Sequence, residues 1–144
     1  MGVRSIIMND NRDNYETCER IRDHLIAVCE GRVFRCLECG EIFTDPEDIC
    51  RCGNMEDMDE WEQVSLFEDM YIYDTEYRIG GDYEYRSVAI MVACGGPNIY
   101  IDTESRSVNL FWYNERASAW LPPEVVYEVD ELYEEIYTNG RCGI

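Results

Sequence analysis

The chain contains no lysine: its 12 basic residues are all arginines, set against 31 acidic residues for a formal net charge of -19. Phosphate neutralisation by Lys and Arg supplies most nucleic-acid affinity, so this balance argues against duplex DNA as a direct partner and for a cationic protein surface. There is one histidine, His24, so the usual acid–base switch has no duplicate. No apolar run approaches the roughly 20 residues that cross a bilayer, which excludes a membrane-spanning helix. The start, Met1-Gly2-Val3-Arg4-Ser5, lacks the charged region, apolar stretch and cleavage site of a leader. We expect a soluble, cytosolic protein with no direct nucleic-acid or membrane partner. Internal repeats, low-complexity tracts and linkers are absent too, and 144 residues suffice for one ordinary core.

Cysteine, by contrast, is abundant, with eight residues. Four of them fall in one acidic stretch, as Cys36-Leu37-Glu38-Cys39 and Cys50-Arg51-Cys52. Zinc takes four thiolates at about 2.3 Å in a tetrahedron, and two tight turns each offering a sulfur pair supply them. Gly40 and Gly53 follow the two pairs, where a knuckle turns through positive φ. The one-residue spacing of the second pair departs from the commoner two. Reduced cytosolic thiols and a pair of disulfides are the rival readings, and Cys50 and Cys52 are poorly placed for bridging within so short a segment. Four cysteines leave no open coordination position, so the expected Zn²⁺, one per chain, is structural. Cys18, Cys29, Cys94 and Cys142 are scattered like buried small hydrophobes, with Cys29 and Cys142 left open as further ligands.

The acid is unevenly placed. Between Glu38 and Glu76 stand fourteen carboxylates and one basic residue, Arg51. That span contains the run Glu56, Asp57, Asp59, Glu60 and Glu62, and a second series, Glu124, Glu128, Glu131 and Glu135, recurs at helical spacing. The helix rise sets neighbours in such a stripe about 5 to 6 Å apart, where like charges cost a few tenths of a kcal/mol per pair. The stripe is either tolerated for solubility or kept for a cationic partner, and these nine carboxylates are the candidate partner contacts.

Apolar residues at Tyr15, Cys18, Ile21, Leu25 and Cys29, with Asp13 and Glu16 at capping-box spacing, predict a helix over 13–30 that Gly31 stops. A short strand over 33–35 then leads into a zinc loop over 36–54. Met58, Trp61, Val64, Leu66 and Phe67 suggest a second helix over 55–70. Strands follow over 71–73, 77–79, 85–94, 98–102, 107–113 and 117–121, separated by Gly-, Asp- and Asn-bearing turns that favour an antiparallel meander. Pro122-Pro123 opens a last helix whose apolar face is Val125, Val126, Val129, Leu132, Tyr133, Ile136 and Tyr137, closed by Gly140. The fold class expected is α+β, an antiparallel sheet of four to five strands flanked by helices, with an N-terminal helix and a zinc-ribbon-like knuckle of four cysteines. Residues 1–60 would hold the helix and zinc region, and 61–144 the α+β domain, forming one compact unit.

Catalytic readings are weak. A lone helical histidine is more often structural than catalytic, Cys94-Gly95-Gly96 reads first as a turn after a buried strand, and Asp82, Asp102 and Glu104 are chance carboxylates in so acidic a chain. The stretch Val33 to Phe43 resembles the first half of a zinc ribbon. Tyr77-Arg78-Ile79-Gly80-Gly81, Cys94-Gly95-Gly96-Pro97-Asn98-Ile99-Tyr100-Ile101-Asp102-Thr103 and Phe111-Trp112-Tyr113 are similar to small proteins of bacteriophages and mobile elements in gut bacteria. Some of these are anti-CRISPR inhibitors of type II RNA-guided nucleases, and the whole chain resembles a zinc-containing member of that group. The resemblance implies a binding protein rather than an enzyme, acting in the cytoplasm of a host bacterium. Type II effectors hold guide and target in a positively charged channel, which attracts an anionic protein at long range. The second reading is another acidic counter-defence protein, a DNA mimic inhibiting a restriction or nucleoid protein.

Overall fold

A computed structural model describes residues 2–44 and 61–142, with side chains over 12–44 and 61–140. Helix α1 spans Gly2–Cys29. The expected start at residue 13 is a correction: Asp13 lies inside the helix, its carbonyl accepting the Thr17 hydroxyl at 2.8 Å. Residues 3–12 contain neither glycine nor proline, so nothing halts propagation toward the N-terminus. The helix ends as expected at Gly31, whose φ of 74° lets the Gly31 and Arg32 amides donate to the carbonyls of Val28 (3.0 Å) and Ala27 (2.8 Å). Its inner stripe holds Asn14, Cys18 and Leu25. Tyr15, expected there, is exposed, and Asn14 takes the inward position with its amide donating to Glu115 Oε2 at 3.0 Å.

Three very short strands, β1 (Phe34–Cys36), β2 (Ile42–Phe43) and β3 (Trp61–Gln63), form an antiparallel sheet in the order β2-β1-β3. The register pairs Phe34 with Phe43 and Gln63, and Cys36 with Trp61, which puts the three aromatic rings and Cys36 on one face. Ring centroids lie 4.8 to 5.8 Å apart. The expected second helix is therefore corrected over 61–70, while 55–60 lies outside the described residues. Its apolar residues serve three different partners instead of one helix face. Trp61 joins the aromatic triad, Val64 packs with Ala27, Val28 and Val33, and Phe67 enters the main core against Tyr133. Phe67 at φ 65° is also incompatible with a right-handed helix.

The second sheet is a five-stranded antiparallel meander of β4 (Asp74–Ile79), β5 (Tyr85–Ala93), β6 (Asn98–Asp102), β7 (Ser107–Trp112) and β8 (Glu115–Trp120), in chain order. Tyr71, Ile72 and Tyr73 precede the first strand instead of forming one, although the Tyr73 amide already donates to Met91. Helix α2 spans Pro123–Cys142, running past Gly140, where a stop was expected. Ile136, expected on its apolar face, is exposed. Both helices cover one sheet face: Cys18 and Leu25 of α1 and Val125, Val126, Val129 and Tyr133 of α2 meet Val88, Ile90, Ile99, Ile101, Val108 and Leu110. The Tyr85 hydroxyl donates to Asp130 Oδ1 at 2.6 Å and ties α2 to β5. Strand pairing also joins β3 to β1 across the 60/61 boundary, and α1 packs on β7 and β8.

Candidate functional site

The first cysteine pair, Cys36 and Cys39, lies at the end of β1 and in the turn that follows it. β1 delivers Cys36 to the start of a tight turn, the Gly40 amide donates to the Cys36 carbonyl at 2.8 Å, and the Cys36 amide donates to Glu41 at 2.9 Å. Gly40 has φ 76°, a conformation open to glycine and strained for other residues, so the chain can reverse directly after Cys39. Cys36 is buried against the aromatic face and Cys39 is exposed. Cys50 and Cys52 lie outside the described residues, and among the described residues no group of three or more His, Cys, Asp or Glu side chains is placed to hold a metal. Two thiols three residues apart on one reversed turn nonetheless match the donor chemistry of half a zinc site.

Of the acidic run, Glu56, Asp57, Asp59 and Glu60 also lie outside the described residues. Glu62 is on β3, where Arg35 Nη1 donates to it at 3.0 Å and also to Glu68 at 3.0 Å. The Ser65 amide and then Arg35 hold the Glu68 carboxyl below its ordinary value. Glu62 is thus a partly compensated charge. The α2 stripe differs. Glu124, Glu128, Glu131 and Glu135 are all exposed, and none forms an ion pair among the described residues.

Glu128, Glu131 and Glu135 line an open groove of about 650 Å³ whose opposite wall is the end of α1 and the start of the 63–66 segment. Glu30 stands on that far wall, paired with Arg32 at 2.7 Å, and among the described residues no arginine lines the groove. Periodicity alone could place the stripe on one helix face. The convergence with Glu30 arises because the Gly31 turn docks the end of α1 beside α2, a long-range fact. Cys29 lines the same groove, and burial, then hydrogen bonding to Glu128, pushes its thiol up to about 12. It is a protonated donor to a carboxylate at neutral pH. The Cys142 side chain lies outside the described residues.

The catalytic candidates are dispersed. His24 Nε2 is 2.7 Å from Asp69 Oδ2. Cys94 is exposed after β5, and the small pocket at the neighbouring Gly95–Asn98 turn is lined by Phe111, Trp112 and Tyr113, with neither histidine nor carboxylate among its described residues. Asp102 receives both Nη atoms of Arg78 at 2.8 Å, and Glu104 pairs with the same guanidinium at 3.1 Å. Asp82 pairs with Arg86 at 3.5 Å. Each carboxylate already has a cation.

A second groove, of about 700 Å³, opens between α1 and the β7–β8 hairpin. Trp112, Tyr113, Pro97 and Ile99 give it apolar walls, and Asp13 and Glu115 supply carboxylates. The sequence pattern predicts a strand over 107–113 but not this groove, because a hairpin's position against a distant helix is not encoded locally. No family model, curated protein or solved structure matches the chain. No helix among the described residues is long and apolar enough to cross a membrane.

Proposed function

We propose that this protein is a non-enzymatic anti-CRISPR inhibitor that binds a basic, DNA-handling region of a type II CRISPR effector nuclease and blocks loading of target DNA. The observation that carries this reading is the groove in which Glu128, Glu131 and Glu135 face Glu30 with no arginine among the described residues lining it. Three α2 carboxylates with no ion pair among the described residues, set beside a fourth that Arg32 compensates, cost stability through repulsion and gain when a cation arrives. In a chain of net charge -19, they steer the protein toward arginine- and lysine-lined channels and compete with phosphates for the same side chains. Glu124 extends the surface along α2, and Glu62 with Glu56, Asp57, Asp59 and Glu60 adds a second acidic segment. A structural zinc held by Cys36, Cys39, Cys50 and Cys52 fixes the hairpin that carries β3. The site of action is the cytoplasm of the host bacterium.

The test is guide-directed cleavage of a target duplex by a type II effector, with the inhibitor added before or after the DNA. Inhibition should require addition before DNA and weaken as salt rises. The triple reversal Glu128→Arg, Glu131→Arg and Glu135→Arg should raise the inhibitor concentration needed by about tenfold or more. Full potency of that variant, or potency indifferent to salt, overturns the reading. Recovery of a restriction or nucleoid protein in place of an effector would favour the other acidic counter-defence class.

A further inference from the structure

The second groove has a chemistry different from that of the α2 stripe. A volume near 700 Å³ falls within the roughly 300 to 1,000 Å³ of specific ligand sites. Among the described residues its walls are aromatic and aliphatic, its charged groups are carboxylates only, and no basic side chain lines it. Glu115 is pre-positioned, because the buried Asn14 amide holds its Oε2 at 3.0 Å, and a carboxylate accepts through both oxygens. The same hairpin already seats a guanidinium on an aromatic ring: Arg116 stands 5.7 Å from the Phe111 centroid. Tyr113 is the first central residue of the two-residue turn between Trp112 and Glu115, which sets its φ of 54°, and it is 94% exposed, its ring 5.9 Å from that of Trp112. So exposed an aromatic ring at the turn adds little to the fold's own core.

We infer that the groove between α1 and the β7–β8 hairpin binds an arginine side chain presented by a partner protein, with the guanidinium stacked on Trp112 and Tyr113 and paired with Glu115 and Asp13. The charge complementarity selects a cation, and flat aromatic walls beside a fixed carboxylate select the planar guanidinium fork over the compact lysine ammonium. The groove is larger than one guanidinium needs, so the flanking peptide occupies the remainder along Pro97 and Ile99. This inference does not depend on the partner being a nuclease, and it lies apart from the carboxylates on which the inhibitor reading rests.

The experiment follows the three indole N–H signals of isotope-labelled protein by NMR, with Trp112 assigned through Trp112→Phe. The probe is a blocked glycine-serine peptide with one central arginine. It should shift the Trp112 signal saturably, whereas the citrulline peptide, of the same shape without charge, should not. Glu115→Gln retains an acceptor for Asn14 and should weaken binding about tenfold. Tyr113→Gly should leave the fold at least as stable, by relieving the positive φ, while weakening binding similarly. Equal shifts from arginine and citrulline peptides, equal affinity for a lysine peptide or for free arginine methylamide, or wild-type affinity in Tyr113→Gly would each overturn the inference.

Discussion

His24 Nε2 and Asp69 Oδ2 lie 2.7 Å apart and join the last turns of α1 to the turn that leads out of the small sheet. Asp69 is 9% exposed, and its Oδ1 is buried without a hydrogen-bond partner among the described residues. The imidazole is therefore the principal polar neighbour of a buried carboxylate. His24→Ala should destabilise the protein by about 1–3 kcal/mol, because it strands that group, whereas Asp69→Asn, which keeps an acceptor toward His24, should cost less. Chemical denaturation of both variants reads the difference, and equal stability of His24→Ala and wild type would remove the structural role assigned to the pair.

The Arg78–Asp102 pair gives the protein a defined acid sensitivity. Burial raises the Asp102 carboxyl, but the bidentate Arg78 guanidinium and the amides of Ser105 and Glu104 outweigh it and leave the group below its ordinary value. A carboxyl depressed in the folded state contributes stability that is complete above its unfolded value, near 3.9, and is lost as pH falls through the lower folded value. Asp102→Asn should thus cost about 1–3 kcal/mol at neutral pH and show a shallower loss of stability below about pH 4 than wild type. Thermal melts across pH 7 to about 2.5 give both slopes, and parallel slopes would contradict the assignment.

The large sheet was legible because its punctuation is local. Gly80-Gly81-Asp82, Gly95-Gly96-Pro97 and Asn114-Glu115 interrupt runs of β-branched and aromatic residues, and the strand at Asn98–Asp102 lies where the pattern puts it. The small sheet was not. Trp61, Val64 and Phe67 mimic helical spacing while each answers to a separate cluster formed by distant residues, so tertiary packing overrides the local period. The Glu124–Glu135 stripe was visible as exposed charge. Its facing wall at Glu30, and the hairpin wall at Trp112 and Tyr113, depend on how α1 docks, which no local pattern carries.

Metal removal should act on one sheet and spare the other. The strands Phe34–Cys36, Ile42–Phe43 and Trp61–Gln63 are too short to be stable alone, and the aromatic triad is their only clustered apolar face among the described residues. Structural zinc supplies apparent free energies of about 10–16 kcal/mol in small metal-folded peptides, far more than such a sheet holds by itself. Elemental analysis should find about one zinc per chain. A strong chelator, or Cys36→Ser or Cys39→Ser, should change Trp61 fluorescence while the far-ultraviolet dichroism of the five-stranded sheet is largely retained. A metal-free protein with an unaltered Trp61 signal would refute the site.

Thiol reactivity separates the scattered cysteines. Burial and then Glu19 push the Cys18 thiol up to about 11, and burial with the Glu128 hydrogen bond pushes Cys29 to about 12, while Cys94 is exposed. At pH 8 a thiol near 12 is ionised in about one molecule in ten thousand, and only the thiolate reacts. Iodoacetamide should therefore modify Cys94 before Cys18 and Cys29 in the folded protein, and reach those two at comparable rates only in denaturant. Glu128→Gln removes the negative charge beside Cys29 and should speed its labelling without affecting Cys18. Mass-spectrometric mapping of the adducts against time measures each rate, and labelling of Cys29 as fast as Cys94 in the native state would show that the groove does not hold its proton.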